Sequence, residues 1–240
     1  MQLTDFSALT FDCYGTLIDW ESGIHTALEP LLLQSGRNLN RDQALELFAV
    51  HETDQEALTP GMIYSDLLAE VHRRLAKELA VTMPEQAHLS FGASVPDWPA
   101  FPDSAEALQY LKQHYKLVIL SNVDRVSFAG SNKRLGVEFD AIYTAQDIGS
   151  YKPDVANFHY MLSHLAERGV APGQILHTAQ SLFHDHEPAK QVGLISAWID
   201  RRHDQAGWGA TKPADVVNTY DFRFTSMADM VRAHQAALRG

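Results

Sequence analysis

The apolar positions of this chain change period twice. The opening run Ala8-Leu-Thr-Phe-Asp-Cys-Tyr-Gly-Thr-Leu-Ile18 begins as a short apolar stretch that reads as a buried strand. It stops at a single carboxylate, Asp12, followed by a Gly-containing turn. Three- and four-residue spacing then takes over, and residues 20–35, 40–57 and 61–80 are predicted to be helices. Leu67, Leu68, Val71, Leu75 and Leu79 form the clearest stripe, and Asn40 is placed to cap the second helix. Three prolines in Val95-Pro-Asp-Trp-Pro-Ala-Phe-Pro102 predict a linker. Beyond it strands and helices alternate, with strands over 116–120, 141–144, 175–178 and 195–199. Helices are expected over 103–115, 124–135, 154–168, 186–192 and 227–238.

Such alternation implies βαβ units and a parallel sheet. The expected architecture is α/β: a Rossmann-like parallel-sheet core made of residues 1–17 and 96–240, with an inserted α-helical cap domain over 18–95. An insert placed directly after a site-bearing strand would close over that site like a lid, excluding water and selecting substrate.

The 240 residues, 45% hydrophobic, are enough for one large domain or a core with a smaller insert. No run approaches the roughly 18 apolar residues of a membrane span. With neither a basic region nor an apolar signal core at the N-terminus, a cytoplasmic protein is expected. A net charge of −11 and the lack of a basic tract argue against nucleic acid as partner. A few cations in a cleft can still attract a small anion. The single Cys13 excludes an intramolecular disulfide and reads as a small packing residue. The twelve histidines are scattered and read as surface or interface residues.

In an open α/β sheet, ligands bind outside the carboxyl ends of the strands. A carboxylate there can cap a turn, or act as a nucleophile that forms a covalent ester. Three further strand ends supply polar groups: Ser121-Asn122, the loop Ser150-Tyr-Lys-Pro-Asp154, and Thr178-Ala-Gln-Ser-Leu-Phe-His-Asp-His186. If the strands are parallel, all emerge at the edge that carries Asp12.

The order Asp12, Ser121-Asn122, Lys152-Pro153, Asp185 resembles the four motifs of the haloacid dehalogenase superfamily, over nearly the whole chain. The segment Phe-Asp-Cys-Tyr-Gly-Thr-Leu is especially similar to the L-2-haloacid dehalogenase branch. The resemblance implies that Asp12 attacks carbon, that Ser121 and Asn122 steady its carboxylate, that Lys152 offsets the negative charge, and that Asp185 positions or activates water. Tyr14 stands where the superfamily's phosphatases carry a second Asp. Phosphoryl transfer would then lack a general acid–base contribution of about a hundredfold to ten-thousandfold. Halide leaves without needing a proton, so neither metal nor other cofactor is expected.

Two departures bear on the substrate. Where the dehalogenases carry an Arg on the first long cap helix, this chain has Ala49 or Val50, followed by His51 and Glu52. Leu182 replaces an Asn of the fourth motif. Carboxylate recognition would rest on backbone N–H groups, Ser121, Asn122 and His51. Tyr14 and Thr16 are expected to face the substrate, Trp20 to line an apolar wall, and Ser181 and His184 to complete the pocket. His184 and His186 flank Asp185 and could move a proton at neutral pH.

The expected function is hydrolysis of a C–X bond in a small 2-substituted carboxylic acid, X being halogen or the nitrogen of a strained ring. The second case would match the related azetidine-2-carboxylate hydrolases. A small-molecule phosphatase and a non-catalytic small-acid binding protein are the alternatives. A small carboxylic acid is the expected partner, and a homodimer is left open.

Overall fold

The computed structural model describes residues 1–214 and 220–239. Six parallel strands form one sheet in the order β3-β2-β1-β4-β5-β6. They are β1 (Ala8–Phe11), β2 (Lys116–Ser121), β3 (Ala141–Thr144), β4 (Ile175–Ala179), β5 (Ile195–Ile199) and β6 (Phe222–Phe224). β1 lies at the centre, with Phe11 level with Ile119 of β2 and with Thr178 of β4. Every residue of β1 and β4 is buried. That is why neither shows the regular apolar–polar alternation of a half-exposed strand, with Thr10, His177 and Thr178 buried among apolar neighbours.

The two faces follow the two-residue period of a strand. Leu9, Phe11, Leu117 and Ile119 pack with Leu108, Leu111, Phe128, Met227 and Met230. These last belong to α5 (Ser104–Leu111), α6 (Arg125–Leu135) and the closing helix α10 (Met227–Ala237). Ala8, Val118 and Leu120 point the other way, onto Phe158, Met161 and Leu165. That second layer is made by α8 (Val155–Glu167) and α9 (Glu187–Gln191), with the single turn α7 (Ala145–Ile148) after β3.

Between β1 and β2 lies a helical insertion: α1 (Trp20–Ser35), α2 (Arg41–Leu58), α3 (Tyr64–Glu78) and α4 (Glu85–Gly92). Asn40 caps α2 as expected, accepting from the Gln43 amide while Gln43 returns the bond to the Asn40 amide. The chain enters and leaves the insertion side by side. Asp19 donates to the Pro99 carbonyl and Phe101 to that of Leu17. Gly23 of α1 has no room for a side chain, since a Cβ there would lie 2.2 Å from the Trp98 ring.

Several sequence expectations are corrected. α4, α7 and β6 were not anticipated, and α5 stops at Leu111 instead of 115. The proline-rich stretch is a packed crossing: Trp98 is buried and meets Tyr14 edge-to-face at 5.7 Å. The histidines are not all at the surface, because His72, His88, His177, His186 and His234 are buried with hydrogen-bond partners. No helix among the described residues is long and apolar enough to cross a membrane.

Candidate active site

With strand order 3-2-1-4-5-6, the connections leave β1 toward opposite sides, which opens a crevice at its carboxyl end. Asp12 is the first residue past β1 in that crevice, its amide bonded to the Thr178 carbonyl of β4. The turn that follows needs glycine. Gly15 has φ +92, and a Cβ there would lie 3.0 Å from the Gln180 side chain and 3.1 Å from Trp20.

Lys152, brought in by the loop after α7, is 2% exposed and spends all three of its protons inside. Its Nζ donates to Asp12 Oδ1 at 2.9 Å, to Asp185 Oδ1 at 2.7 Å and to the Leu120 carbonyl at 3.1 Å. The other oxygen of Asp12 accepts from the Thr16 hydroxyl at 2.7 Å, and Thr16 in turn accepts from the Gln180 amide. Asp185 comes from the irregular turn after β4, and its Oδ1 also accepts from His177 Nε2 at 3.1 Å. Thr10, 2.8 Å from His177 Nδ1, then fixes that ring. Asp185 Oδ2 is buried without a partner.

The charges sort themselves through these contacts. Burial pushes the Asp12 carboxyl up, while Lys152 and the hydrogen bond from Thr16 favour its ionised form. Burial would also raise Asp185, but Lys152 and His177 hold it well below the usual carboxylate range. For Lys152, burial works against the charge and the two carboxylates override it, so the ammonium is firmly protonated.

The cavity above Asp12 has a volume of about 40 Å³ and is bordered on its other side by the insertion. That leaves room for a few waters, against roughly 300–1,000 Å³ for drug-sized sites. Core residues Tyr14, Ser121, Asn122, Gln180, Ser181, His184 and Thr211 line it, with Trp20 of α1, Glu52 and Glu56 of α2 and Tyr64 of α3. Asp12, Ser121, Asn122, Lys152, Asp185, Tyr14, Trp20, Ser181 and His184 thus converge from distant parts of the sequence.

Other expectations change. Neither Ser121 nor Asn122 touches the Asp12 carboxylate. The Asn122 amide instead accepts from the Lys152 backbone N–H at 2.7 Å and donates to the Lys152 carbonyl and to Glu56 Oε1, both at 3.1 Å. Ser121 Oγ is buried with no partner. Thr16 lies beneath Asp12 and does not line the cavity. His51 points away, its Nε2 2.6 Å from Glu78. His186 packs behind the site on Ser196 and the Ala179 carbonyl.

His184 holds Ser181 through Nδ1 at 3.1 Å and has Nε2 3.7 Å from Glu56 Oε2. Burial holds this imidazole down to about 4, neutral at pH 7. Among the described residues, no group of three or more His, Cys, Asp or Glu side chains is arranged to hold a metal ion.

Glu56, His177 and Tyr64 were missed from the sequence. A signal for the two α2 acids existed: Leu45, Ala49, Glu52 and Glu56 share one face at spacings of four, three and four. Carboxyls on an apolar stripe call for a reason. Glu52 is buried against the Tyr64 hydroxyl at 2.5 Å, and burial pushes it up to about 7. Burial and the charge of Glu52 together push Glu56 well above the usual range.

A stability consequence follows from the sign of these shifts. The native state keeps protons that an unfolded chain has released, so stability falls as pH rises from about 4.5 through 7. Replacing both acids by Gln is expected to stabilise the protein by on the order of 3 kcal/mol at pH 8 and by little at pH 5. Urea denaturation at the two pH values measures this, and a gain that does not grow with pH would contradict it.

The comparisons with known proteins agree with this fold. A defluorinating L-2-haloacid dehalogenase is 20% identical with a TM-score of 0.78, covering 100% of this chain and 98% of that one. The L-2-haloacid dehalogenase of Xanthobacter autotrophicus, solved with chloropropionic acid covalently bound, is 19% identical with a TM-score of 0.77 over 98% and 99% of the two chains. A HAD-type hydrolase of Bacillus subtilis bound to magnesium is also similar, at 15% identity and a TM-score of 0.74 over 96% and 99%. At such identities these likenesses establish the fold, which a magnesium-bound protein and one with chloropropionic acid covalently bound share. No curated protein matches the chain. The family model for haloacid dehalogenase-like hydrolases matches residues 6–193, a span that holds Asp12, Ser121, Lys152 and Asp185 together, and the chain belongs to that hydrolase family.

Proposed function

We propose that this protein hydrolyses a C–X bond of a small 2-substituted carboxylic acid through an ester on Asp12, with X a halogen or the nitrogen of a strained ring. The observation that supports it is the fixing of both Asp12 oxygens, one by Lys152 and one by Thr16, at the floor of a small cavity between the core and the insertion. A nucleophile so held attacks along one line and loses little freedom in doing so. Carbon–oxygen bond formation spreads the negative charge of Asp12 into the ester as the leaving group takes the bonding pair. Lys152 stays charged throughout and keeps Asp12 and Asp185 from repelling each other. Asp185, too weak a base to take the proton outright, orients the incoming water through its free Oδ2. Asn122 acts at one remove, pinning the backbone of the lysine loop.

In this reading residues 18–95 are the cap, Tyr14, Trp20, Ser181 and His184 contact the substrate, and the unpartnered Ser121 hydroxyl is the free donor for its carboxylate. The test is a single turnover in heavy-oxygen water with L-2-chloropropionate and with azetidine-2-carboxylate, each with and without chelator. Label is expected in the Asp12 carboxylate before product, undiminished by chelation. Label entering product directly would remove the ester. A strict magnesium requirement with phosphate-ester hydrolysis would favour the phosphatase, and binding without turnover the small-acid binding protein.

A further inference from the structure

Glu52 and Glu56 stand four residues apart on the buried face of α2, 5% and 8% exposed, directly across the cavity from Asp12. With Asp12 and Asp185 they make four carboxyl groups around about 40 Å³, and the one Lys or Arg among the described residues that line it, Lys152, has no proton left to offer. Like charges at this helical spacing are mutually destabilising, and buried carboxylates without a cation are costly. The contacts present are neutral ones: the Tyr64 hydroxyl on Glu52 and the Asn122 amide on Glu56. A second observation says that something polar belongs in this space. Ser121 Oγ, in a residue 2% exposed, and Asp185 Oδ2 are buried without a partner, and both belong to residues that line the cavity.

Building on the ester reading above, we infer that the Glu52–Glu56 pair receives a positively charged nitrogen of the substrate, which is therefore an amino acid rather than a haloacid, and serves that nitrogen as it departs. The step balances without a further reagent. An Asp12 oxygen attacks the carbon beside the substrate carboxylate, the carbon–oxygen bond forms, and the carbon–nitrogen bond of a cyclic ammonium breaks. Its electron pair stays on nitrogen, which becomes a neutral tethered amine and takes a proton from the pair. Water then cleaves the ester, and the proton released in that step returns to the pair.

The groups facing the two acids fit this role. Tyr64 of α3 and Asn122 of the core are neutral donors, and burial and the two acids keep the Tyr151 hydroxyl protonated. Lys152 lies behind its own carboxylates, Lys212 lines a neighbouring pocket with Glu56, and His184 is held down to about 4. With Glu52 pushed up to about 7 by burial, and Glu56 pushed well above the usual carboxylate range by burial and the charge of Glu52, the pair holds a proton more firmly than His184 does. That leaves the pair, and not His184, as the group able to protonate an amine.

The test needs no turnover. Binding of 4-amino-2-hydroxybutanoate and of 2-hydroxybutanoate, identical but for the amine, is measured by calorimetry at neutral pH. Wild-type protein is expected to prefer the amine-bearing acid by at least about tenfold, and Glu52→Gln/Glu56→Gln to lose that preference. The wild-type preference should also shrink as pH falls below about 7, as the carboxylates become protonated. Equal binding of the two acids, preference for the amine-free one, no binding of either at millimolar concentration, or a preference that survives in the double variant would overturn the inference. Label in Asp12 without an amine preference would remove the pair's role alone, and an amine preference without label would remove the ester alone.

Discussion

Replacing Asp12 by Asn is expected to lower kcat by at least about ten-thousandfold, with the fold intact. An amide cannot form the ester, yet it fills the same space and keeps an oxygen for the Thr16 hydroxyl, which now donates at 2.7 Å. Lys152 would retain Asp185 and the Leu120 carbonyl. The melting temperature should therefore stay at or above that of the wild type, because one of two crowded carboxylates is gone. Activity that grows during long incubation would report deamidation of the new Asn back to Asp. A variant with more than a tenth of wild-type turnover would show that Asp12 is not the nucleophile.

Lys152→Met is expected to damage both properties. Methionine keeps much of the apolar stem, but Asp12 and Asp185, now bridged by one ammonium, would face each other across a buried gap. Removing one partner of a buried ion pair costs about 3–5 kcal/mol, and turnover should fall at least about a thousandfold as Asp12 becomes harder to ionise. The sign of the pH dependence identifies the cause. In the wild type, the depressed Asp185 contributes stability that is present above its unfolded value and lost as pH falls. In the variant both carboxyls gain by protonation, so its deficit should be largest near pH 8 and shrink toward pH 5. A deficit below about 1 kcal/mol, or one indifferent to pH, would mean that the ammonium does not hold the two acids together.

Both experiments rest on residues that could be read from the sequence, and the reason is topological. Asp12, Ser121, Lys152 and Asp185 each follow a buried strand or its loop, and parallel strands bring their ends to one edge. What a strand end cannot reveal is the partner of each side chain. Asn122 and Ser121 were read as attendants of Asp12, but the amide turns to Glu56 and to the Lys152 backbone, groups supplied by other elements. Thr16 was expected to face the substrate and instead holds the nucleophile from below. The missed elements have local reasons. α4 buries only His88, Phe91 and Gly92, too few for a stripe, and β6 is three residues long with one of them buried. Glu52 and Glu56 escape a reading by apolar periodicity because they are carboxyls standing at positions of the apolar stripe.

The place of β1 in the sheet also governs how the chain must be assembled. Ala8 pairs with Lys116 on one side and with Ile175 on the other, so the strand made first must wait more than a hundred residues for either neighbour. During synthesis the helical insertion, whose contacts are local, can consolidate while β1 still waits with both edges bare. An apolar strand with unsatisfied edges is a template for intermolecular pairing, and the second edge stays open until β4 has emerged. The strand that carries Asp12 is therefore the segment of a nascent or truncated chain most in need of chaperone protection.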